Sequence, residues 1–262
     1  MTTPVAKGFV WTDTVAGRAL VCEPLQSLAP HLFTSRPLSF PGPERDDDYR
    51  VIGEALEVPA RAVVRVRQVH GRTVRVLAHD AHLQPGLIED ADAIVSTRDD
   101  CAIVVRVADC VPILVADRRG RAVAAIHAGW RGMAAGVVRA SIETLGDMGV
   151  QASDLVAAIG PSIGPCCYQV DDRVRDMFLA ATPDAAAWFD EDGPGHWRLD
   201  LWRAGQDTLM DAGVPESSIH LAQLCTADHP DVFFSHRREG GAAGRMVAAI
   251  RQPRTSPASS LR

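Results

Sequence analysis

The part of the chain that most restricts its fold lies between residues 101 and 130 and reads CAIVVRVADCVPILVADRRGRAVAAIHAGW. Its apolar, β-branched runs predict strands at Ala102 to Val107, Val111 to Ala116 and Arg121 to Ile126. The polar stretch Asp117 to Gly120 supplies a tight turn between the second and third runs. These two strands are therefore predicted to pair as an antiparallel hairpin.

Cys110 and His127 stand at the open end of that hairpin, on opposite strands. Residues equally far from the turn face one another in an antiparallel pair, so the hairpin is expected to bring the two side chains together. A group that acts as a nucleophile or metal ligand is thereby predicted to lie beside an imidazole.

The segments around the hairpin mix strand and helix patterns. Residues 62–77 alternate apolar and polar side chains on both sides of His70, which predicts a half-buried strand pair with His70 at a strand end or turn. Residues 138–146 show the apolar spacing of an amphipathic helix, and Arg131 is expected at its N-terminus.

Shorter patterns complete the assignment of elements. Strands are predicted at 5–10, around Leu20, and at 155–160, 219–226 and 244–251; helices are predicted at 51–56, 172–180 and 200–213, and an exposed loop at 40–50. A regular βαβ alternation and a fixed-period repeat are both lacking, which disfavours a doubly wound nucleotide-binding fold. We predict an α+β fold: one layered domain with mixed β-sheets and flanking helices over residues 1–251, and a disordered tail over 252–262.

Composition and charge exclude several classes of protein. The 262 residues are 47% hydrophobic and 23% charged, as in a globular protein that buries a sizeable core, and the net charge of −6 leaves no basic stripe for nucleic acid. Neither a leader pattern nor an apolar run of membrane-spanning length occurs, so we expect a cytoplasmic protein with no membrane partner. Six cysteines are too sparse for a disulfide scaffold and are expected to be reduced there.

His70, Cys110 and His127 together form a candidate zinc site. Catalytic zinc is commonly held by three nitrogen or sulfur ligands, with the fourth position left to water or substrate. All three residues fall at predicted strand ends, where side chains from separate segments converge. Their long-range spacing is not diagnostic, because a cysteine at a strand start is also a common buried core residue.

Other charged residues are candidates for substrate contact. Arg36, Arg131, Arg237 and Arg238 are able to hold an anion in a bidentate way, although surface arginines are more often solvated. Asp109 precedes Cys110 and is a candidate to orient a ligand or carry a proton, with capping of a backbone turn as the equal alternative. The adjacent pair Cys166 and Cys167 reads as packed thiols rather than as a second metal centre.

Six sequence motifs carry a resemblance to a known family. They are 68-QVHG-71, 108-ADCVPIL-114, 127-HAGWRG-132, 160-GPSIGPCCYQV-170, 225-CT-226 and 234-FSHRREG-240 with 244-GRM-246. In this order they resemble the YfiH/LACC1 family, whose members have been called multicopper polyphenol oxidases or laccase-domain proteins, purine nucleoside phosphorylases and peptidoglycan editing factors. The likeness runs from Leu32 to about Ile250. Thr34-Ser35-Arg36 is kept, but the asparagine motif that usually follows it is absent, and His236 stands where a tyrosine is common.

The resemblance implies a site and a reaction. It maps three zinc ligands onto His70, Cys110 and His127, with copper as the alternative metal, and implies that Cys225 lines the pocket, although core packing is an equal explanation for Cys225. It implies a zinc-dependent purine nucleoside enzyme that splits adenosine, inosine, guanosine and methylthioadenosine with phosphate and deaminates adenosine. Cys110 and Asp109 are then the catalytic candidates, and Arg36, Arg131, Arg237 and Cys225 the substrate-binding ones.

Two other functional classes remain open at this stage. One is a metal-free hydrolase in which Cys110 is a nucleophile activated by His127. The other is a peptidoglycan editing factor that hydrolyses mis-assembled cell-wall precursors and uses the same zinc. Multicopper laccase chemistry is not expected, because its clusters rest on paired His-x-His ligands and the chain contains none.

Overall fold

The computed structural model describes residues 3–40, 49–80 and 88–254. Within these ranges the strands are β1 Phe9–Thr14, β2 Gly17–Cys22, β3 His31–Thr34, β4 Val63–Val64, β5 Val74–Leu77, β6 Ala93–Ser96, β7 Ala102–Val107, β8 Val111–Asp117, β9 Val123–Ala128, β10 Leu155–Ile159, β11 Gln169–Asp171, β12 Phe189–Glu191, β13 His196–Leu199, β14 Ile219–Leu221 and β15 Met246–Arg251. The α-helices are α1 Glu23–Gln26, α2 Arg50–Ala55, α3 Trp130–Ala135, α4 Val137–Asp147, α5 Asp172–Ala181, α6 Leu201–Asp211 and α7 His236–Glu239.

The strands form three sheets. The first has the order β1-β2-β3-β15-β7-β4, the second β14-β10-β8-β9-β6-β5, and the small third sheet β11-β13-β12. Most neighbours are antiparallel, but β4 runs parallel to β7, β5 to β6 and β10 to β14. The predicted α+β fold with mixed sheets and flanking helices is therefore confirmed.

Two hydrophobic layers enclose the second sheet. On one face, Leu114 and Ala125 belong to a core shared with β7 and β15 of the first sheet. On the other face, Ile113 and Ile126 pack in a core with Val138 of α4 and apolar residues of α6. Both faces of β8 are thus covered, which explains why all seven of its residues are buried and why its sequence is a continuous apolar run. No helix in the described ranges is both long and apolar enough to span a membrane.

The hairpin and most helices occur where the sequence predicts them. β8 and β9 pair antiparallel, with Pro112 opposite His127. α6 begins after Asp200, whose carboxylate accepts hydrogen bonds from the backbone N–H groups of Trp202 and Arg203. This N-cap was predicted from the sequence, because aspartate before a helical pattern satisfies N–H groups that have no partner within the helix.

The predicted strand pair over residues 62–77 is wrong. The segment contributes β4 to the first sheet and β5 to the second, and the residues between them cross from one sheet to the other. Alternation of apolar and polar residues reports that a strand has one buried face, but it does not report which sheet that strand joins. His70 does lie in a bend between the two strands, with a positive φ of 60°.

Other assignments also differ from the expectation, and two predicted segments lie largely outside the described residues. Arg131 does not begin the helix over 138–146 but lies in the separate helix α3, because Gly136 adopts a left-handed φ of 86° and divides the two. The first strand lies at Phe9–Thr14 rather than 5–10, and the strand expected at 219–226 ends at Leu221. Of the loop predicted at 40–50, residues 41–48 lie outside the described residues. Of the tail predicted at 252–262, Gln252 is buried and residues 255–262 lie outside the described residues.

Candidate metal centre and active site

The β8–β9 hairpin brings Cys110 and His127 together. Val111 pairs with Ala128, so Cys110 comes directly before a paired position and His127 lies within the partner strand. Together with His70 they form a group whose donor atoms all lie within 4.8 Å of one another. The convergence predicted from the hairpin is confirmed, and we refer to His70, Cys110 and His127 as the His–Cys–His group.

His70 reaches the hairpin from the segment that crosses between the two sheets. Its Nε2 atom lies 3.8 Å from the Cys110 Sγ atom, and its ring meets the His127 ring edge-on with a centroid distance of 4.9 Å. A tetrahedral zinc ion separates a thiolate sulfur from an imidazole nitrogen by about 3.6 Å. The observed spacing therefore fits zinc with little movement of either side chain.

Asp92, directly before β6, organises this group. Its Oδ1 atom lies 2.9 Å from the His127 Nδ1 atom, so the other ring nitrogen of His127 is directed to the group. The same carboxylate accepts the backbone N–H groups of His70 at 2.9 Å and Gly71 at 2.6 Å. A single buried carboxylate thus sets the ring orientation of one candidate ligand and the backbone of another.

The charges in this group favour a thiolate. Burial by itself disfavours the Cys110 thiolate, but the adjacent imidazoles of His127 and His70 outweigh it and lower the pKa of Cys110 to about 6. Burial likewise opposes the charged form of His127, whereas Cys110 and Asp92 favour it and raise the pKa of His127 to about 9. Without a cation, the group therefore holds a thiolate–imidazolium pair at neutral pH.

The backbone around the group leaves little room for anything except the ligands and an ion. A Cβ atom at Gly129 would lie 2.8 Å from the Cys110 Sγ atom and 2.9 Å from the His70 Cδ2 atom. Glycine is required here because any side chain would displace two of the three candidate ligands. The donor set consists of one thiol and two imidazoles, with a carboxylate behind one imidazole. Such a set suits zinc and also binds copper.

Two cavities open beside the His–Cys–His group. The first, called here the aromatic cavity, has a volume of about 370 Å³ and is lined by His70, Ala108, Asp109, Cys110, Gly129, Trp130, Arg131, Ile163, Tyr168, Leu201, His236 and Arg237. The second, called the polar cavity, has a volume of about 660 Å³ and is lined by Ser39, Gln68, His70, Arg106, Ala108, Cys110, His127, His236, Gly241, Ala242, Ala243, Gly244 and Arg245. His70 and Cys110 line both, so the metal candidates lie where the two cavities meet.

Two of the predicted arginines line the aromatic cavity. The Arg131 guanidinium carbon lies 4.3 Å from the centre of the Trp130 ring, and that of Arg237 lies 4.9 Å from the Tyr168 ring. Cation–π contact holds each arginine next to an aromatic side chain. The cavity thus combines flat apolar surfaces with two positive charges.

Asp109 joins three segments around the cavity. Its carboxylate accepts the Thr226 hydroxyl at 2.6 Å and the backbone N–H of Arg237 at 2.6 Å, and its carbonyl accepts the N–H of Ile163. The residue has a positive φ of 83°, a conformation that aspartate tolerates better than most residues. Asp109 therefore orients the segment that carries Arg237, and its side chain also faces the cavity.

Arg36 and Cys225 line neither cavity. Arg36 pairs with Glu239 at 2.8 Å and lies over the Phe234 ring at 4.6 Å. Cys225 is buried, and its Sγ atom accepts the N–H of Gly164 at 3.3 Å. The structure thus brings Arg131 and Arg237 to the His–Cys–His group but not these two residues.

Sequence reasoning missed several residues of the site. Asp92 is the most important of them. The sequence feature that could have identified it is an acidic residue directly before the apolar run of β6. Gln68 was quoted only as part of a motif, yet its side chain makes two 2.7 Å hydrogen bonds to the backbone of Arg106 in the polar cavity. Trp130 and Tyr168 were likewise quoted only as parts of motifs, because their role as cavity walls depends on segments distant in sequence.

Comparison with known proteins gives a consistent result. The model of the family described as multi-copper polyphenol oxidoreductase laccase matches residues 46–252. The chain is 35% identical over 221 residues to purine nucleoside phosphorylase YlmD of Geobacillus stearothermophilus, covering 80% of each chain. It is 36% identical over 214 residues to purine nucleoside phosphorylase PA4543 of Pseudomonas aeruginosa, covering 80% of this chain and 84% of the relative. The crystal structure of YlmD from G. stearothermophilus superposes with a TM-score of 0.81 at 30% identity, covering 90% of this chain and 96% of the other.

Proposed function

The chain belongs to the multi-copper polyphenol oxidoreductase laccase family, and we propose that it is a zinc-dependent purine nucleoside phosphorylase that also deaminates adenosine. The observation that carries the proposal is the position of the His–Cys–His group at the edge of a cavity with two aromatic rings and two arginines. Relatives that cover four fifths of the chain or more bear the name purine nucleoside phosphorylase, which supports the same class of substrate.

The cavity offers separate surfaces for the two substrates, a purine nucleoside and phosphate. Trp130 and Tyr168 supply ring faces of the kind on which a flat purine stacks. Arg131 and Arg237 supply guanidinium groups that match phosphate oxygens in a bidentate way. A cavity volume of about 370 Å³ falls within the range of small-molecule sites.

In phosphorolysis, a phosphate oxygen attacks the ribose C1′ atom while the bond from C1′ to the base nitrogen breaks. The base leaves with that electron pair and takes up a proton, and the products are a free purine and ribose 1-phosphate. Arg131 and Arg237 hold the anion against C1′, which removes most of the entropic barrier to its encounter with the nucleoside. Asp109 is a positioning residue in this scheme, because it holds the backbone of Arg237.

Deamination requires water in place of phosphate. A zinc ion held by His70, Cys110 and His127 would supply a Lewis acid that lowers the pKa of water to about 7 for attack on the purine C6 atom, whose bond to the amino group breaks with release of ammonia. Cys110 then acts as a ligand thiolate, and Asp92 keeps His127 in the orientation that the ion needs. Copper is the alternative metal for the same donors.

A metal-free Cys/His hydrolase is the second candidate function. The thiolate–imidazolium pair of Cys110 and His127, with Asp92 behind the imidazole, is the arrangement of an activated cysteine nucleophile. Metal content distinguishes the two candidates, because a hydrolase of this kind needs no zinc and is inhibited when the thiolate is coordinated. A third candidate, editing of cell-wall precursors, uses the same metal group and differs only in substrate.

The test is product analysis with metal-quantified, full-length protein. Inosine should give hypoxanthine and ribose 1-phosphate only when phosphate is present, and adenosine should give inosine with or without it. Muropeptide precursors incubated in parallel should remain intact. Absence of both nucleoside reactions from zinc-loaded protein would reject the proposal, and cleavage of the muropeptides would replace it with the editing function.

A further inference from the structure

A second group of potential ligands lies apart from the His–Cys–His group. The sulfur atoms of Cys166, Cys167 and Cys225 all lie within 4.8 Å of one another, and those of Cys166 and Cys167 are 3.5 Å apart. Cys166 is exposed, Cys167 is partly buried and Cys225 is buried. We call these residues the three-thiol group. Within the described residues, this group and the His–Cys–His group are the two sets of donors with metal-binding spacing.

Two segments distant in sequence build the three-thiol group. The loop after β10 carries Cys166 and Cys167, and the segment after β14 carries Cys225. Ser162 and Cys225 form a parallel bridge, and the N–H of Thr226 donates to the carbonyl of Ser162 at 3.0 Å. The two segments are thus joined by backbone hydrogen bonds next to the sulfur atoms.

The backbone also supports the deepest sulfur. The N–H of Gly164 donates to the Cys225 Sγ atom at 3.3 Å, the kind of contact that stabilises charge on a thiolate. A Cβ atom at position 164 would lie 2.6 Å from the Trp202 ring, so glycine is needed for this approach. The carbonyl of Cys166 accepts the Arg198 guanidinium at 2.6 Å, which fixes the outer end of the loop.

The donor chemistry selects a soft cation. A trigonal ion with metal–sulfur bonds of about 2.3 Å separates its sulfur ligands by about 4 Å, close to the spacing in the three-thiol group. Three thiolates without an imidazole or a carboxylate ligand favour Cu(I) and Zn²⁺ over Mg²⁺ or Ca²⁺. The geometry points to a second metal site in which Cys166, Cys167 and Cys225 bind a soft d¹⁰ cation of the Cu(I) or Zn²⁺ class.

The surroundings of the group fit this role. Binding a cation transfers the thiol protons to solvent and forms three metal–sulfur bonds. The exposed Cys166 gives the ion a path from solvent, and the nearby charge of Asp228 favours a cation. Tyr168, a wall of the aromatic cavity, follows Cys167 directly.

A cadmium titration of the reduced, metal-free, full-length protein tests the inference. Cadmium(II) alone is added without oxygen, and the sulfur-to-cadmium charge-transfer absorption is followed together with bound equivalents by native mass spectrometry. Wild-type protein should bind two equivalents of cadmium, one at each group. Cys110→Ser should retain about three quarters of the absorption, because one of four cadmium–sulfur bonds is lost. Cys166→Ser should retain about one quarter, because the three-thiol site fails when its outer ligand is removed.

Cys101→Ser is the matched control, since Cys101 is a buried thiol outside both groups. It should leave the absorption and the two equivalents unchanged. Circular dichroism checks that each variant folds, and the exposed position of Cys166 makes its serine variant the least disruptive choice. No charge-transfer absorption in Cys110→Ser protein, or an unchanged titration in Cys166→Ser protein, would overturn the second site. The inference does not rest on the proposed function, since no nucleoside is involved in its test.

A competition experiment extends the test to the biological cations. Cu(I) should displace cadmium from Cys110→Ser protein at near-stoichiometric amounts, and Zn²⁺ should do so only in large excess, because thiolate sulfur prefers the softer cation. The released cadmium is measured directly, since Cu(I)–thiolate bonds also absorb in the ultraviolet. Failure of both cations to displace cadmium would contradict the assignment to a Cu(I) or Zn²⁺ site. Magnesium added in large excess should leave the cadmium absorption unchanged.

Discussion

The His–Cys–His group and the three-thiol group have the same number of donors, the same spacing limit and the same gradient from exposed to buried. The pKa values of their thiols are nevertheless shifted in opposite directions. The pKa of Cys110 is lowered to about 6, whereas the pKa of Cys166 is raised to about 12. Burial acts in the same direction on both, so the difference comes from the neighbours: imidazoles beside Cys110 and further thiols beside Cys166. Donor count and distance alone do not determine what a cluster of ligands does.

The supporting structure differs in the same way. The His–Cys–His group is anchored by a hairpin of the second sheet, which is packed on both faces, and by the buried Asp92. The three-thiol group lies on two segments outside the strands that are joined to each other by backbone hydrogen bonds. In the first group a carboxylate pairs with an imidazole and orients it toward the other donors. The second group lacks any charged partner of that kind within hydrogen-bond distance in the described part of the chain.

Among these predictions, removal of a donor from the His–Cys–His group should have the largest effect on bound zinc. Each of His70→Ala, Cys110→Ala and His127→Ala should reduce bound zinc at that site to background, because three ligands barely suffice for a site with an open position. Zinc is measured by inductively coupled plasma mass spectrometry in a Cys166→Ser background, which isolates the first group. His79→Ala, an exposed histidine outside the group, serves as the control and should retain zinc. Full zinc retention in any one of the three variants would remove that residue from the ligand set.

In the metal-free protein at pH 7, Cys110 should be alkylated about 100-fold faster than Cys166, or more. Iodoacetamide reacts with thiolates, so the rate at Cys110 should rise as pH increases through about 6 and level off above it. Cys166 is more exposed but should stay slow throughout the neutral range, because its pKa of about 12 keeps it protonated. The lower intrinsic nucleophilicity of an acidic thiolate offsets only part of this difference. Peptide mass mapping identifies the modified residue, and faster reaction at Cys166 at pH 7 would reverse the comparison.

Asp92→Asn should weaken zinc binding by the His–Cys–His group about 10- to 100-fold, the usual effect of losing a carboxylate behind a histidine ligand. The substitution keeps the shape of the side chain but removes the charge that faces His127. Asp90→Asn is the matched control. Asp90 lies two residues before Asp92 in the chain, is exposed and pairs with Arg67. Competition with a zinc chelator measures both variants. Cadmium binding by the three-thiol group should not change in either, and an equal loss in both groups would indicate a general folding defect.

Arg131→Ala should leave metal binding by both groups intact and give the most selective effect on activity. We expect phosphorolysis of inosine to fall about 10- to 100-fold, because the guanidinium that holds phosphate is lost, and deamination of adenosine to change far less. Arg139→Ala is the control, since Arg139 is an exposed arginine of α4 that lines neither cavity. Both rates are measured by chromatography of the products at phosphate concentrations below the KM, where loss of phosphate binding is visible. Equal loss of the two activities would show that Arg131 acts on the structure of the site and not on phosphate.

Local sequence patterns were sufficient to predict many secondary-structure elements of this protein. The hairpin, the helix over 138–146 and the N-cap at Asp200 all depend on neighbouring residues, and the structure has them where the sequence predicts them. The meeting of Cys110 and His127 was also predictable, because pairing across a tight turn is a local event. His70 was proposed beside them from its position at a predicted strand end and from the family resemblance, but its approach across the two sheets was not predicted.

The chain's sequence by itself thus determined the strands, helices and turn that depend on period, caps and turn residues, and with them one edge of the metal site. Only the tertiary structure decided that β4 and β5 belong to different sheets, that Asp92 lies behind His127 and that Cys225 joins Cys166 and Cys167. Hydrophobic periodicity reports which face of an element is buried but not which partner buries it. Contacts between distant segments depend on how whole layers pack, and in this protein those contacts set the ring orientation of one candidate ligand and assemble the three-thiol group.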